Sequence, residues 1–301
     1  MLIILGVTFL SFCLTYFSPG DPAKMQLDSI GNPYTQEMLD ALRHQMGLDR
    51  SFGEQYLSWL RGFLTGDMGT SLLTHKSVVD ELFRYLPNTL ALAAVSMAGT
   101  MLLSVTVGIL CAVKADSAFD YAVRFVTYFF SSFPNFFLAL IMLNIFAVKL
   151  RLFTVAATQD LRGMMLPAMM IIISMSAHYI RQIRTIVLGE LNSDYVSGCR
   201  ARGIPERRIL FRHVLKNSLV PIVTLVGISF GGMLGGSAIV ESVFTWQGIG
   251  RYALSAIRQM DFPVIQAYVV WMAVLFLAVN SAVELICSLI DPMLRRRPEE
   301  A

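Results

Sequence analysis

Residues 88–113 read NTLALAAVSMAGTMLLSVTVGILCAV, a run of 26 residues that contains no charged side chain. At about 1.5 Å of rise per residue, a helix of this length reaches about 39 Å, which exceeds the roughly 30 Å hydrocarbon core of a bilayer. A segment in lipid must satisfy its backbone hydrogen bonds internally, and a single helix does so. The run therefore predicts a transmembrane helix.

The composition of the whole chain agrees with this prediction. Of 301 residues, 55% are hydrophobic and 15% are charged, whereas soluble domains average about 45–50% apolar and about 25% charged residues. The net charge of +3 gives no reason to expect nucleic-acid binding. The cysteines are far apart and show no CxxC spacing, which indicates neither a zinc site nor a disulfide framework: Cys13, Cys111, Cys199 and Cys287. We predict an all-α membrane protein.

Further apolar runs bring the predicted number of transmembrane helices to six. Residues 123–148, 219–240 and 267–290 each have at least 22 residues and can cross a bilayer with some tilt. Residues 164–179 form a shorter run with Pro167 near its start, where a missing backbone N–H costs least. The sixth helix is the apolar stretch at the beginning of the chain.

These runs divide the chain into four predicted parts. Residues 1–17 hold the first transmembrane helix, whose apolar stretch reaches only about 24 Å, so we expect its cytoplasmic beginning to precede residue 1. Residues 18–87 form an extracytoplasmic helical segment between the first and second helices. Residues 88–290 form the transmembrane core, which contains a cytoplasmic loop at 181–218, and residues 291–301 form a cytoplasmic tail.

The orientation follows from the lysines and arginines of the short loops, because these residues are enriched on the cytoplasmic side. If six helices alternate, most of the basic loop residues fall on one side. We therefore predict that both termini are cytoplasmic and that residues 18–87 are outside. The basic residues on the predicted inner side are Lys114, Arg181, Arg184, Arg200, Arg202, Arg207, Arg208, Arg212, Lys216 and residues 295–297.

The external segment contains helix-start signals. Ser51 and Ser77 each precede a carboxylate by three residues, the spacing of a capping box, and Thr35 is suited to cap a stretch with apolar residues on one face. We expect a small helical cap at the outer face. It either lies as an amphipathic lid on the helix ends and on membrane lipid, or it forms a contact surface for a docking partner.

The sequence offers no sign of catalytic chemistry. No Gly-Lys pair occurs anywhere, so the chain has no phosphate-binding loop of the P-loop type and cannot supply its own ATPase. Residues 227–231 match Gly-x-Ser-x-Gly, but that motif works on a strand-to-helix turn and here lies inside a predicted helix. We predict no catalytic residue and no cofactor bound by this chain.

The same glycines form a small-residue stripe. Gly227, Gly231 and Gly235 recur every four residues, which lets another helix approach at backbone distance. The neighbour is either a helix of the same chain or a partner subunit, and the stripe can also border a translocation path.

Polar residues in the apolar runs are further candidates for a pore or for helix packing. Asn280 and Glu284 lie one turn apart in the last run, where ionisable groups usually face the protein interior. Alternatively, Glu284 makes a structural hydrogen bond, or its side chain extends to the membrane–water interface. Asn135 and Asn144 in the third run are weaker candidates for pore lining. The methionines near residue 170 are interpreted as gap-filling side chains rather than metal ligands.

The cytoplasmic loop contains the most informative segment, residues 194–208, which read DYVSGCRARGIPERR. Small residues give a short helix a thin face, Gly203 permits a left-handed stop, and Pro205 suits the start of a following helix. An ordinary positive-inside loop explains the arginines but not the small residues before Gly203. We predict a helix, a sharp turn and a second helix, with a thin face formed by Ser197, Gly198, Cys199, Ala201 and Gly203.

Residues 194–221, which end in LVP, resemble the cytoplasmic signature loop of binding-protein-dependent ABC importer permeases. Landmarks across the chain resemble the dipeptide, oligopeptide and nickel branch of that family: PGDPA at 19–23, MGLD at 46–49, GDMGTS at 66–71, WQGIGR at 246–251, DFPVIQ at 261–266 and DP at 291–292. Within the branch, five stretches of this sequence most resemble the nickel permease: LPNTL at 86–90, DYAVRF at 120–125, PNF at 134–136, GRYALSAI at 250–257 and the short loop 149–163.

This resemblance implies a type I ABC importer permease fold in the bacterial inner membrane. It implies three kinds of protein partner besides membrane lipid: a related second permease, two ATPase subunits that use the ATP, and an extracytoplasmic solute-binding protein. The loop around residues 197–203 would dock into an ATPase subunit. The cargo implied is nickel, free or chelated, with di- or oligopeptides as the alternative. A passive channel is the alternative from a different class, and it would need neither ATP nor the cytoplasmic turn.

Overall fold

The computed structural model describes residues 2–290. Within them the structure consists of helices joined by loops, without a β-strand, and a single isolated bridge pairs Thr70 with Ser77. The all-α membrane fold predicted from the sequence is confirmed. The predicted cytoplasmic tail at 291–301 and its basic residues lie outside the described residues.

The helices divide between two compact units. The first unit comprises the described residues up to Thr89 together with residues 247–275. It contains α1 (Leu2–Tyr16), α2 (Pro22–Ile30), α3 (Gln36–Gln45), α4 (Phe52–Thr65), the beginning of α5 (Val78–Val113), α12 (Ile249–Arg258) and the first half of α13 (Phe262–Ile290).

Local capping explains why the external segment is helical. The Asp21 carboxylate accepts hydrogen bonds from the backbone N–H groups of Ala23 and Lys24, and the Thr35 hydroxyl accepts from Met38. The Glu54 carboxylate accepts from the Ser51 backbone N–H at 3.0 Å and from its hydroxyl at 2.8 Å. These contacts satisfy N–H groups that lack a partner inside the helix. The helical character of the segment and its predicted caps at residues 35 and 51 are present.

The helix that begins after Ser77 extends beyond the predicted segment 18–87. It is α5, a single helix of 36 residues that continues through Pro87 into the apolar run 88–113. A proline inside a helix costs about 3 kcal/mol. Burial of Val78 and Leu82 in the core of the first unit, where both are at most 2% exposed, offsets that cost. The predicted boundary between residues 87 and 88 therefore falls inside a helix.

The second unit comprises residues 90–246 and the described residues from Phe276 onward. It contains the rest of α5 and α13 and these elements: α6 (Ala118–Ser131), α7 (Asn135–Met142, which continues as a π-helix over Leu143–Lys149), α8 (Leu161–Leu191), α9 (Asp194–Ala201), α10 (Glu206–Ile209, continued as a π-helix over Leu210–Val214) and α11 (Leu215–Val243).

The run 123–148 was predicted as one span, and the structure shows a broken one. Helices α6 and α7 form an angle of 99°. Pro134 lies at the break, where it lacks a backbone N–H and restricts Phe133 to extended conformations. The hydropathy of the run was sufficient for a straight helix, but the proline prevents one.

Helix α8 is longer than the predicted run 164–179. It begins after Asp160, whose carboxylate accepts from the Gly163 N–H at 2.7 Å, and it extends to Leu191. Arg181 and Arg184 therefore lie on a helix rather than in a loop. The predicted loop 181–218 is almost entirely helical, because its apolar side chains pack into the core of the second unit.

Among residues 2–290, four helices are long and apolar enough to cross a membrane: Val78–Val113, Leu161–Leu191, Glu206–Met233 and Phe262–Ile290. The bent pair α6 and α7 makes a fifth span if it is counted as one, and the helix Ile3–Tyr16 is shorter. The described residues thus supply six apolar segments in the predicted order.

Candidate functional site

The predicted sharp turn is present between α9 and α10. The Gly203 N–H donates to the Arg200 carbonyl at 2.9 Å, and the Ile204 N–H donates to the Cys199 carbonyl at 3.2 Å. Gly203 has a φ of +73°. This pair of bonds with a left-handed residue is a Schellman motif, which satisfies the last carbonyls of a helix. A side chain at Gly203 would meet no atom within 4 Å, so the backbone conformation, not space, requires glycine.

The helices on either side of the turn pack into a buried apolar cluster. Val196 of α9, Ile209 of α10, and Val187 of α8 are fully buried in one cluster. At the end of α8, Glu190 accepts a hydrogen bond from the Tyr195 hydroxyl at 2.6 Å. Helix α9 is therefore held against α8 by close packing and by a side-chain hydrogen bond.

The exposed face of α9 is formed by small residues. Ser197, Gly198, Ala201 and Gly203 are exposed, and a side chain at Gly198 would meet no atom of this chain. Cys199 was grouped with this face in the sequence prediction. The structure instead turns it inward, half-buried against the same cluster as Val196. The helical period of 3.6 explains the difference, because neighbours in sequence point to different sides of a helix.

Arginines surround the turn. The Arg200 Nε donates to the Glu206 Oε1 at 2.7 Å, which joins the end of α9 to the start of α10 across the turn. The hydrogen bond from this guanidinium to Glu206 raises the pKa of Arg200 above its ordinary value. Arg202, Arg207 and Arg208 are exposed. The result is a tip of small side chains between the exposed Asp194 at the start of α9 and the arginines around the turn.

The glycine stripe of α11 divides into two parts. A β-carbon at Gly227 would lie 2.6 Å from the Val283 Cγ1, and one at Gly231 would overlap the ring of Phe276. Both neighbours belong to α13, so these glycines allow close packing within the chain. A β-carbon at Gly235 would meet nothing within 4 Å. Among the described residues, a helix of this chain covers Gly227 and Gly231 but not Gly235.

Asn280 and Glu284 both lie on α13. Asn280 is half-buried and Glu284 is exposed on this chain. Within residues 2–290, neither side chain has a hydrogen bond or an ion pair. The structure does not bring these two residues to the cavities described below.

A cavity of about 260 Å³ lies among α7, α8 and α11, at the break before α7. Asn135, the first residue of α7, accepts a hydrogen bond at its Oδ1 from the Ser174 hydroxyl at 2.5 Å. Ser174 lies near the middle of α8. The other polar side chains in the lining are Ser229, Ser237 and Tyr179, and thioethers come from Met170, Met175 and Met233.

Asn135 was predicted from the sequence as a pore-lining candidate, whereas none of the serines was, and Ser229 had been considered only as part of the Gly-x-Ser-x-Gly match. Single serines in apolar helices carry little signal, and their convergence depends on how three helices pack. Ser229, the serine of the Gly-x-Ser-x-Gly match, donates to the Leu225 carbonyl of its own helix. Its backbone is a regular helix and not a strand-to-helix turn, which agrees with the rejection of the nucleophile motif.

A second cavity, of about 860 Å³, lies within the first unit. Its lining includes Tyr16, Trp59, Gln266 and the ion pair of Arg43 with Asp21. Burial alone would raise the pKa of Asp21, but hydrogen bonds from Arg43 and from the Lys24 N–H hold it below its ordinary value. Residues of the segment 18–87 line this cavity together with residues of α1 and α13. Among the described residues, no group of three or more His, Cys, Asp or Glu side chains is placed to hold a metal ion.

Two protein-family models match most of the chain. Residues 104–296 match the model of the binding-protein-dependent transport system inner membrane component, and residues 1–93 match the model of the N-terminal part of such membrane components. The chain belongs to this family of ABC importer permeases. It is a transport subunit without an ATPase site of its own, as the absence of a phosphate-binding loop in the sequence had indicated.

The similar permeases belong to transport systems that are named for different substrates. The chain is 34% identical over 301 residues to the oligopeptide transport system permease protein AppB of Bacillus subtilis, with 96% of this chain and 94% of the relative covered. It is 32% identical over 294 residues to the metal-staphylopine import system permease protein CntB of Staphylococcus aureus, with 97% and 94% covered. The glutathione transport system permease protein GsiC of Pectobacterium atrosepticum is 31% identical over 293 residues, with 97% and 94% covered.

A solved structure supports the fold. The MetNI methionine ABC transporter in an inward-facing conformation contains a chain that superposes with a TM-score of 0.57 at 18% identity, covering 70% of this chain and 96% of that chain. The type I permease fold predicted from the sequence is confirmed.

Proposed function

We propose that this permease imports a small amide-bearing solute, a peptide or a peptide-like metal chelate, along a path that it forms with a related second permease. The names of the relatives support this proposal: oligopeptide, dipeptide and glutathione systems stand beside one metal-staphylopine system at 31–34% identity. The sequence motifs favoured nickel, free or chelated. Chelated nickel falls within this proposal, and free nickel is the second candidate cargo.

The geometry that best supports active import is the turn between α9 and α10. Its exposed small residues Ser197, Gly198 and Ala201 form a surface suited to a groove on another protein, because close approach requires small side chains. Its base is packed against α8 through fully buried Val196. We propose that an ATPase subunit docks on this face and that its closure moves α8 and α11. A passive channel has no need of such a surface.

The proposed assembly contains this chain, a second permease, two ATPase subunits and an extracytoplasmic binding protein, in the bacterial inner membrane. The external segment 18–87 lies outside and the turn at Gly203 inside in this proposal. Charge supports that orientation, since Arg202, Arg207 and Arg208 surround the turn.

The proposal is tested by purifying the chain with the proteins that accompany it and reconstituting the complete complex in vesicles. Uptake of a labelled dipeptide, of free radioactive nickel and of nickel bound to a peptide-like chelator is then measured with and without ATP. ATP-dependent uptake of the peptide or the chelate supports the proposal. Uptake of free nickel alone would establish the second candidate, and uptake independent of ATP would show a passive channel.

A further inference from the structure

The 260 Å³ cavity lies where α6 and α7 are broken at an angle of 99°. An interruption of a membrane helix leaves backbone groups without partners, and it is tolerated where the backbone is covered by protein or lines a cavity. Broken helices in transporters commonly mark the substrate path for this reason. Because Ser174 lies near the middle of α8, which is long enough to span, the cavity falls within the membrane-crossing part of the second unit.

Two side chains at the mouth of this cavity present complementary hydrogen-bonding groups. The Ser174 hydroxyl donates a hydrogen bond to the Asn135 Oδ1 at 2.5 Å. The serine oxygen then keeps its lone pairs as acceptors, and the Asn135 carboxamide keeps two N–H donors on Nδ2. Asn135 is exposed and Ser174 is half-buried on this chain, so both groups are accessible from the cavity.

A peptide unit carries the matching pair of groups. Its carbonyl can accept from Asn135 Nδ2, while its N–H can donate to Ser174 Oγ. The volume of the cavity equals about nine water molecules at roughly 30 Å³ each, which is room for one peptide unit with a small side chain. The described lining consists of uncharged side chains, with hydroxyl, carboxamide and thioether groups.

The same lining suits a bare divalent cation poorly. Ni²⁺ favours imidazole ligands, whereas thioethers are soft ligands that select Cu(I). An ion stripped of water would have to be held here by neutral groups alone, at a high desolvation cost. A metal that brings its own ligands presents an organic surface to the cavity instead.

We infer that this cavity is a passage subsite that takes one uncharged amide unit of the substrate, with Asn135 donating to its carbonyl and Ser174 accepting from its N–H. This inference rests on the proposed import of an amide-bearing solute and adds the residues that contact it. The subsite discriminates by hydrogen bonding and not by charge.

The test compares two substrates in the reconstituted complete complex: a dipeptide, and the same dipeptide methylated on its amide nitrogen, which removes the N–H. A hydrogen bond contributes about 0.5–1.5 kcal/mol net, so Ser174→Ala should reduce the preference for the unmethylated dipeptide by roughly two- to tenfold. The binding protein is the same in every measurement, and its own discrimination therefore cancels between wild type and variant. ATPase stimulation by the binding protein should remain.

Asn135→Ala should lower uptake of both dipeptides by a similar factor, because both keep the carbonyl. Asn144→Ala is the matched control: Asn144 is an exposed asparagine in the π-helical part of α7 and does not line the cavity. An unchanged preference in Ser174→Ala, or equal losses in the two asparagine variants, would overturn the subsite. If the wild-type complex transports no amide-bearing solute, the proposed function itself fails, and the two failures are thus distinguishable.

Discussion

The guanidinium of Arg184 binds the carboxylate of Asp120 through two parallel hydrogen bonds, Nε to Oδ1 at 2.7 Å and Nη2 to Oδ2 at 2.6 Å. The Asp120 side chain is 0% exposed and that of Arg184 is 13% exposed. The pair joins the first turn of α6 to α8, the helix that leads into the turn at Gly203. Asp120 also accepts from the Asp116 N–H at 3.0 Å, and Arg124 lies 3.5 Å away.

Removal of one partner from this pair should destabilise the second unit. Breaking a buried ion pair costs up to about 3–5 kcal/mol, and removal of Arg184 leaves the buried Asp120 carboxylate with the longer contact to Arg124 as its remaining ion pair with an arginine. Arg184→Ala is therefore expected to lower the thermal stability of the detergent-solubilised chain markedly. Arg162→Ala is the control, since Arg162 is an exposed arginine on the same helix with one long hydrogen bond to a carbonyl. Equal melting temperatures for the two variants would contradict a stabilising role for the pair.

Gly203→Val should uncouple ATP hydrolysis from uptake. Valine tolerates a positive φ poorly, so it should distort the Schellman turn that positions α9. Gly189→Val is a matched control, because Gly189 lies on regular helix α8 and a side chain there would meet no atom within 4 Å. The measurement is uptake together with ATPase activity stimulated by the binding protein. Normal coupling in Gly203→Val would remove the turn from the transmission path.

Ala201→Arg should weaken attachment of the ATPase subunits without unfolding the chain. Ala201 is exposed on the thin face of α9, and arginine adds volume and charge where a groove must close over a small residue. The amount of ATPase subunit that copurifies is expected to fall. Cys199→Arg should act differently: Cys199 is half-buried, so this change should lower the stability of the chain itself. Undiminished copurification with Ala201→Arg would place the docking surface elsewhere.

The two parts of the glycine stripe should respond differently to the same substitution. Gly231→Leu forces its side chain into the ring of Phe276, so α11 and α13 must separate, and overpacking of this kind costs about 1–3 kcal/mol. Gly235→Leu has free space in this chain and should leave its stability unchanged. Thermal unfolding of each purified chain measures the difference. Copurification of the second permease with Gly235→Leu shows whether that part of the stripe is an interface.

Single introduced cysteines should report opposite sides of the membrane. Ser58 in α4 and Arg207 in α10 are both exposed, and the charge pattern predicts that the first is outside and the second inside. In a background with Cys199→Ser, an impermeant thiol reagent added to intact cells should label Ser58→Cys and spare Arg207→Cys until the membrane is permeabilised. Equal labelling of both in intact cells would contradict the predicted orientation.

The sequence by itself determined the features that depend on short stretches of chain. Apolar runs such as 88–113 predict helices because bilayer thickness sets the length that they must reach. The caps at Thr35 and Ser51 and the left-handed Gly203 are also local, since each depends on residues within a few positions of one another. The family landmarks are short motifs and were recognisable for the same reason.

Only the tertiary structure decided which side of each helix is covered and by what. Sequence spacing placed Gly231 and Gly235 on one stripe, but only the path of α13 shows that Phe276 covers the first, while no described residue lies within 4 Å of a β-carbon at the second. The continuation of α5 through Pro87 depends on the burial of Val78 in a core that residues from 249 onward complete. Ser174 meets Asn135, 39 positions away, because α7 and α8 pack together. Contacts of this kind join residues distant in sequence, and no local pattern encodes them.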